Sequence, residues 1–166
     1  YEDHVYALSN GERFYVINIE DPTNPYEVGM FEIGEKGQAI HDVWIEDGIA
    51  YSSNWKHGVY MIDVGNGVAG GSPSNPVAMA NYTYESGAHH ATFPFKSKST
   101  DKFYTVLGDE IFPQGIDVYT TNETAGFIHF VDFTDINNPE EVARYELPGH
   151  GSHTVSYTHL TLPTRS

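Results

Sequence analysis

Across residues 41–84, apolar and polar positions alternate with a period of two in four short runs: HDVWIED (41–47), GIAYSSN (48–54), GVYMIDV (58–64) and PVAMANYTY (76–84). Successive side chains of an extended chain point to opposite faces, so each run reads as a strand with one face turned to a core. Turn chemistry separates the runs. Asp47-Gly48 is a hairpin signal, and SPSNP (72–76) joins φ-fixing prolines to an asparagine that bonds its own backbone. No segment shows a convincing helical period.

The unit recurs along the chain. YVINIEDPTNPYEVGMFEI (15–33) and HFVDFTDINNPEEVARYEL (129–147) align without a gap, which sets Asp21 on Asp135, Asn24 on Asn138, Pro25 on Pro139 and Val28 on Val142. Tyr6 to Asn18 and Tyr51 to Asp63 are both steps of 12, so the first two copies stand 45 residues apart. A histidine follows each Asn-Pro proline, at 14 residues from Pro76 to His90 and from Pro139 to His153, and at 16 from Pro25 to His41. Four strands in roughly 40–50 residues is the period of propeller blades. The expected fold is therefore all-β, a partial β-propeller of about three four-stranded antiparallel blades. Blade one (about 4–33) lacks its first strand, blades two and three fall at about 41–84 and 90–147, and a further blade opens at 153. A part-ring of this kind exposes the apolar faces of its end blades and calls for the remaining blades as partners.

The DPTNPYEVG and DINNPEEVA turns, the histidine-led strands and GIAYSSNWKHGVYMIDV together resemble the LVIVD-repeat proteins over residues 4–154. That resemblance implies a β-propeller of an exported or surface protein, hence an extracytoplasmic setting, and no single activity. Two loops depart from the pattern, a glycine-rich insert at 65–72 and a long segment at 108–126. The insert lacks the lysine and following helix of a phosphate loop and reads as a flexible connection. The last residues, VSYTHLTLPT (155–164), resemble a translated sequencing-library adapter, so 155–166 is expected to be a non-native tail.

Charge and composition narrow the partners. Eight basic against 23 acidic residues give a net charge of −15, which repels nucleic acid and anionic membrane surfaces. The absence of cysteine removes disulfides, thiolate metal sites and cysteine nucleophiles. No apolar run approaches the length needed to insert in a bilayer.

Histidines that begin the innermost strands of successive blades converge on the ring axis. His41, His90 and His153 are therefore candidate ligands for Zn²⁺, Cu²⁺ or Fe²⁺, with His89, His150 and Asp42 around them. The competing role is structural, each histidine stapling its blade by a hydrogen bond. His89 and His90 point to opposite faces of one strand, so at most one reaches the axis. Asp109, Glu110 and Asp117 offer oxygen ligands to Ca²⁺ without any recognised calcium-loop spacing. Trp44, Tyr51, Tyr60 and Phe130 fit a blade core. Trp55, Phe93, Phe95 and Phe112 fall near loops or prolines, so Trp55, Asp109, Glu110 and Phe112 form the candidate binding loops for a protein or carbohydrate. NYT (81–83) and NET (122–124) match the glycosylation acceptor pattern. Two functions follow: a non-enzymatic binding module, or a metal-dependent oxidoreductase with a histidine ring.

Overall fold

The computed structural model describes residues 1–9, 11–34, 39–84, 88–111 and 122–153. Phe112, Asp117 and the expected tail from Val155 lie outside the described residues. Period-two patterning and short polar turns produce three antiparallel sheets, each a simple meander. The first contains β1 (His4–Leu8), β2 (Arg13–Asn18) and β3 (Tyr26–Glu32). The second contains β4 (Asp42–Glu46), β5 (Ile49–Ser53), β6 (Val59–Asp63) and β7 (Val77–Tyr82). The third contains β8 (His89–Lys96), β9 (Phe103–Asp109), β10 (Ile128–Asp132) and β11 (Glu140–Tyr145). There is no helix among the described residues, and so none long and apolar enough to cross a membrane.

The sequence repeat is reproduced in backbone detail. A β-bulge interrupts the last strand pair of every sheet at the same aligned position, between Val16 and Ile17, Met61 and Ile62, and Phe130 and Val131. The turn that follows is also shared. Asp21 accepts the Thr23 N–H at 3.0 Å and Asp135 accepts the Asn137 N–H at 3.0 Å, while Ser72 Oγ takes the Asn75 N–H at 3.1 Å in the middle copy. Asp, Asn and Ser at these positions hold a turn by competing for backbone donors.

The second sheet packs between the other two, through β1 against β4 on one side and β4 and β5 against β8 on the other. Alternation then serves two cores. Phe14, Val16, Ile40, Ala50, Ile62 and Val64 fill the space toward the first sheet, whereas Ile49, Tyr51, Val59, Met61, Leu107, Val131 and Phe133 fill the space toward the third. Every residue of β5 is buried because both its faces are covered. Two aromatics exchange their expected roles. Trp44 is 41% exposed, since β4 is an edge strand with one neighbour, and its ring meets Phe93 edge-on at 5.0 Å; Phe93 is the buried member, at 6%.

The glycine-rich insert, read from sequence as a flexible connection, is wound around one carboxylate. Asp63 Oδ1 accepts the N–H groups of Gly65 (3.1 Å) and Gly67 (3.0 Å), and Oδ2 those of Ala69 (2.8 Å) and Gly71 (3.0 Å). Burial of the carboxylate opposes its ionisation, yet the four donors outweigh that and hold its pKa at about 2.

Candidate metal centre

The histidine pair in SGAHHATF is divided by a backbone irregularity. On β8, His89 pairs with Asp109 and Ala91 pairs with Gly108, leaving His90 as the extra residue of a bulge. A bulged residue escapes the alternation of its strand and its side chain is re-aimed. The same division falls on the neighbouring strand end. Asp109 closes β9, and Glu110 continues past it with its N–H on the Ala88 carbonyl at 2.9 Å. His90 and Glu110 thus face one environment while His89 and Asp109 face another.

In the first environment His41, His90 and Glu110 bring donor atoms within 4.8 Å of one another. His41 enters from just before β4, fixed by its N–H on the Ser53 carbonyl at 2.7 Å. Its ring centroid is 3.9 Å from that of His90, and the His153 ring lies 4.5 Å from His90 on the other side. His90 Nε2 meets Glu110 Oε2 at 3.0 Å and His153 Nε2 meets Glu110 Oε1 at 3.3 Å. Ser152 precedes His153 and sets its hydroxyl 2.8 Å from both the Asp109 and Phe127 carbonyls, which share its one proton. Trp55 closes the cluster, its ring 4.7 Å from His41 and 5.9 Å from His90.

Two imidazoles and a carboxylate are donor types that ligate divalent cations. Two donors bound to one ion at roughly 2.0–2.2 Å, at octahedral or tetrahedral angles, stand roughly 2.8–3.6 Å apart. Both carboxylate–imidazole separations fall in that range. The Nδ1 atoms of His41 and His90 are buried without hydrogen-bond partners, a state that costs free energy unless some ligand meets it. Burial first, then the nearby His41, lowers the His90 pKa below its ordinary value, and Glu110 only partly offsets this. A neutral imidazole is the form that coordinates metal.

The second environment is a buried hydrogen-bond chain with a defined direction. Tyr84 donates its hydroxyl proton to Asp109 Oδ1 at 2.5 Å, so the contact from His89 Nδ1 at 2.8 Å must be His89 donating to Tyr84. His89 Nε2 is then an acceptor, taking the Thr92 hydroxyl at 2.7 Å, and Ser53 in turn donates to Thr92 at 3.0 Å. On the far side, His129 faces carboxylates with both ring nitrogens, Asp109 Oδ2 at 3.0 Å and Glu141 Oε2 at 2.8 Å, and Arg144 backs Glu141 at 3.0 Å. Burial, before any other effect, drives the His89 pKa down to about 3 and the Tyr84 pKa far up. The chain crosses all four strands of the third sheet and reaches Ser53 on β5, stapling two sheets together.

The sequence-derived candidates separate accordingly. His41, His90 and His153 come together with Glu110 and Trp55; His89 joins the staple. Asp42 caps its own strand by accepting the Val43 N–H at 2.8 Å, and His150 turns to the Pro148 carbonyl at 3.1 Å. Asp109 is fully buried at a strand end rather than exposed on a loop, with Oδ1 on the Tyr84 hydroxyl and Oδ2 facing His129. Tyr84, Thr92 and His129 carry no local signal of their partnership. The Asp109-Glu110 pair, however, follows a strand as His89-His90 begins one, and that parallel was readable.

The class of protein defined here is an all-β chain of repeated antiparallel sheets with a histidine–carboxylate cluster where the second and third sheets meet. No protein-family model, no curated protein and no solved structure matches this chain.

Proposed function

We propose that this chain is part of a metal-binding β-propeller of the LVIVD-repeat kind, its three sheets acting as blades and His41, His90 and Glu110 holding a divalent transition ion with His153 as a fourth donor. Two imidazoles and a carboxylate suit Zn²⁺ or Fe²⁺, and a further imidazole extends the set to Cu²⁺. The observation that carries this reading is the convergence of His41, His90 and Glu110, whose donor atoms lie within 4.8 Å of one another with His90 Nε2 3.0 Å from Glu110 Oε2. Open coordination positions beside Trp55 would suit redox catalysis, and the acidic, cysteine-free composition is compatible with an extracytoplasmic location. The test is elemental analysis of protein purified without chelator. A stoichiometric transition metal, lost in both His90→Ala and Glu110→Gln, supports the centre; metal absent from protein refolded with excess Zn²⁺ refutes it.

A second reading concerns the first sheet. Val5, Leu8, Tyr26 and Met30 are exposed, and a groove runs along Ala7, Tyr15, Ile17 and Pro25. A further blade laid against this flank would cover them, making the module a scaffold for the rest of a ring. Concentration-dependent association of the isolated chain, abolished by Leu8→Lys with Met30→Lys, is the expected result; a strictly monomeric chain argues against it.

A further inference from the structure

The centre has a wall that the repeated architecture does not require. The segment joining β5 to β6 runs Asn54-Trp55-Lys56-His57-Gly58, and the counterpart 45 residues earlier runs from Ser9 through Gly11 and Glu12 to Arg13. Both join the same pair of strands, but an aromatic ring followed by two basic side chains occurs in one copy alone. This turn is also over-determined. Asn54 Nδ2 donates to the Ser52 carbonyl and the Gly58 carbonyl, both at 2.9 Å, and Asn81 Nδ2 donates to the His57 carbonyl at 2.8 Å. Trp55 exchanges both backbone hydrogen bonds with His89, at 3.0 and 3.2 Å. These contacts hold Trp55 at φ +49°, a conformation that bulky residues avoid and that persists where the surroundings impose it.

Trp55, Lys56 and His57, with Ala39, line a cleft, and the Trp55 ring also packs on His41 and His90. Trp55 is therefore shared between the cleft and the histidine–carboxylate cluster. On a chain with a net charge of −15 and eight lysines and arginines in all, Lys56 sets one of those few positive charges at this mouth. The Lys56 ammonium offers an anion a partner that the acidic chain gives at few places.

We propose that this cleft binds a small aromatic carboxylate beside the metal, its ring against the Trp55 indole and its carboxylate on Lys56 and His57. The proposal rests on the metal reading above. Stacking meets the flat body of the ligand and charge-assisted hydrogen bonds meet its head, so the neutral amide of the same shape is the discriminating control.

Benzoate and benzamide are titrated calorimetrically into Zn²⁺-loaded and metal-free protein, with metal content measured first. Benzoate is expected to saturate, benzamide to bind about tenfold more weakly, and Lys56→Ala to weaken benzoate about tenfold without changing metal content. No saturable benzoate binding, equal binding of the amide, or an indifferent Lys56→Ala variant overturns the proposal. Lys56-dependent benzoate binding to a protein that takes up no Zn²⁺ would retain the cleft and remove the metal reading, whereas loss of both overturns both.

Discussion

Asp63→Asn removes one negative charge from inside a loop and leaves the shape of the side chain unchanged. In the native protein the carboxylate collects four backbone N–H bonds of 2.8–3.1 Å and has a pKa of about 2. A carboxyl of this kind titrates near 3.9 in an unfolded chain, and a difference of about two units corresponds to roughly 2.5 kcal/mol. The folded carboxylate binds its proton more weakly than the unfolded one, so the contribution is complete above about pH 5. It is lost as pH falls through about 2. Asparagine also turns its amide donors toward two of the loop N–H groups, so the variant should lose about 3 kcal/mol at pH 7. Urea denaturation of both proteins at pH 7, 5, 4 and 3 measures the gap, which should narrow steadily on acidification. A gap below about 1 kcal/mol at pH 7, or one that does not change with pH, would refute the account of the loop as a carboxylate clamp.

Tyr84→Phe leaves Asp109 and the His89 N–H without their shared partner and should cost about 2–3 kcal/mol in the same assay, whereas Tyr82→Phe, on a partly buried residue outside that chain, should cost less than about 1 kcal/mol. His89 is held neutral with a pKa of about 3, so the unfolded chain takes up a proton near pH 6.5 that the folded chain refuses; stability should fall from pH 6.5 toward pH 3, and His89→Asn should flatten that slope. Gly58→Ala adds a Cβ where the backbone has φ +70° and the Tyr82 carbonyl abuts, so a loss of at least about 1 kcal/mol is expected by thermal or chemical denaturation. Metal uptake followed by pH indicator should release few protons at pH 7, because burial has already disfavoured the protonated form of His90.

Strands and turns were legible because they are local. The alternation in GVYMIDV, the Asp-Gly hairpin and the Asn-Pro turns each act through a few neighbouring dihedrals, and their spacing placed the four strands of the second sheet within a residue or two of where they lie. The recurrence of a histidine after each Asn-Pro turn was legible for the same reason, since a repeat period is written in the chain itself. Which histidine of His89-His90 turns to the cluster was not legible, because a bulge depends on how β8 registers against β9. Local alternation also gave no warning that Trp44 would stand at an exposed edge, or that Phe93 would be covered by a neighbouring sheet.

The amino-acid sequence alone determined that this chain repeats an antiparallel-strand unit, carries a net charge of −15 and offers an imidazole 14 to 16 residues after each Asn-Pro turn. Only the tertiary structure decided that Glu110 stands with His41, His90 and His153, while Asp109, Tyr84, His89 and His129 share a buried chain of protons. The physical reason is range. Periodicity and turn chemistry act over a few residues, whereas a donor cluster is made by strand register and sheet packing between positions as far apart as 41 and 153.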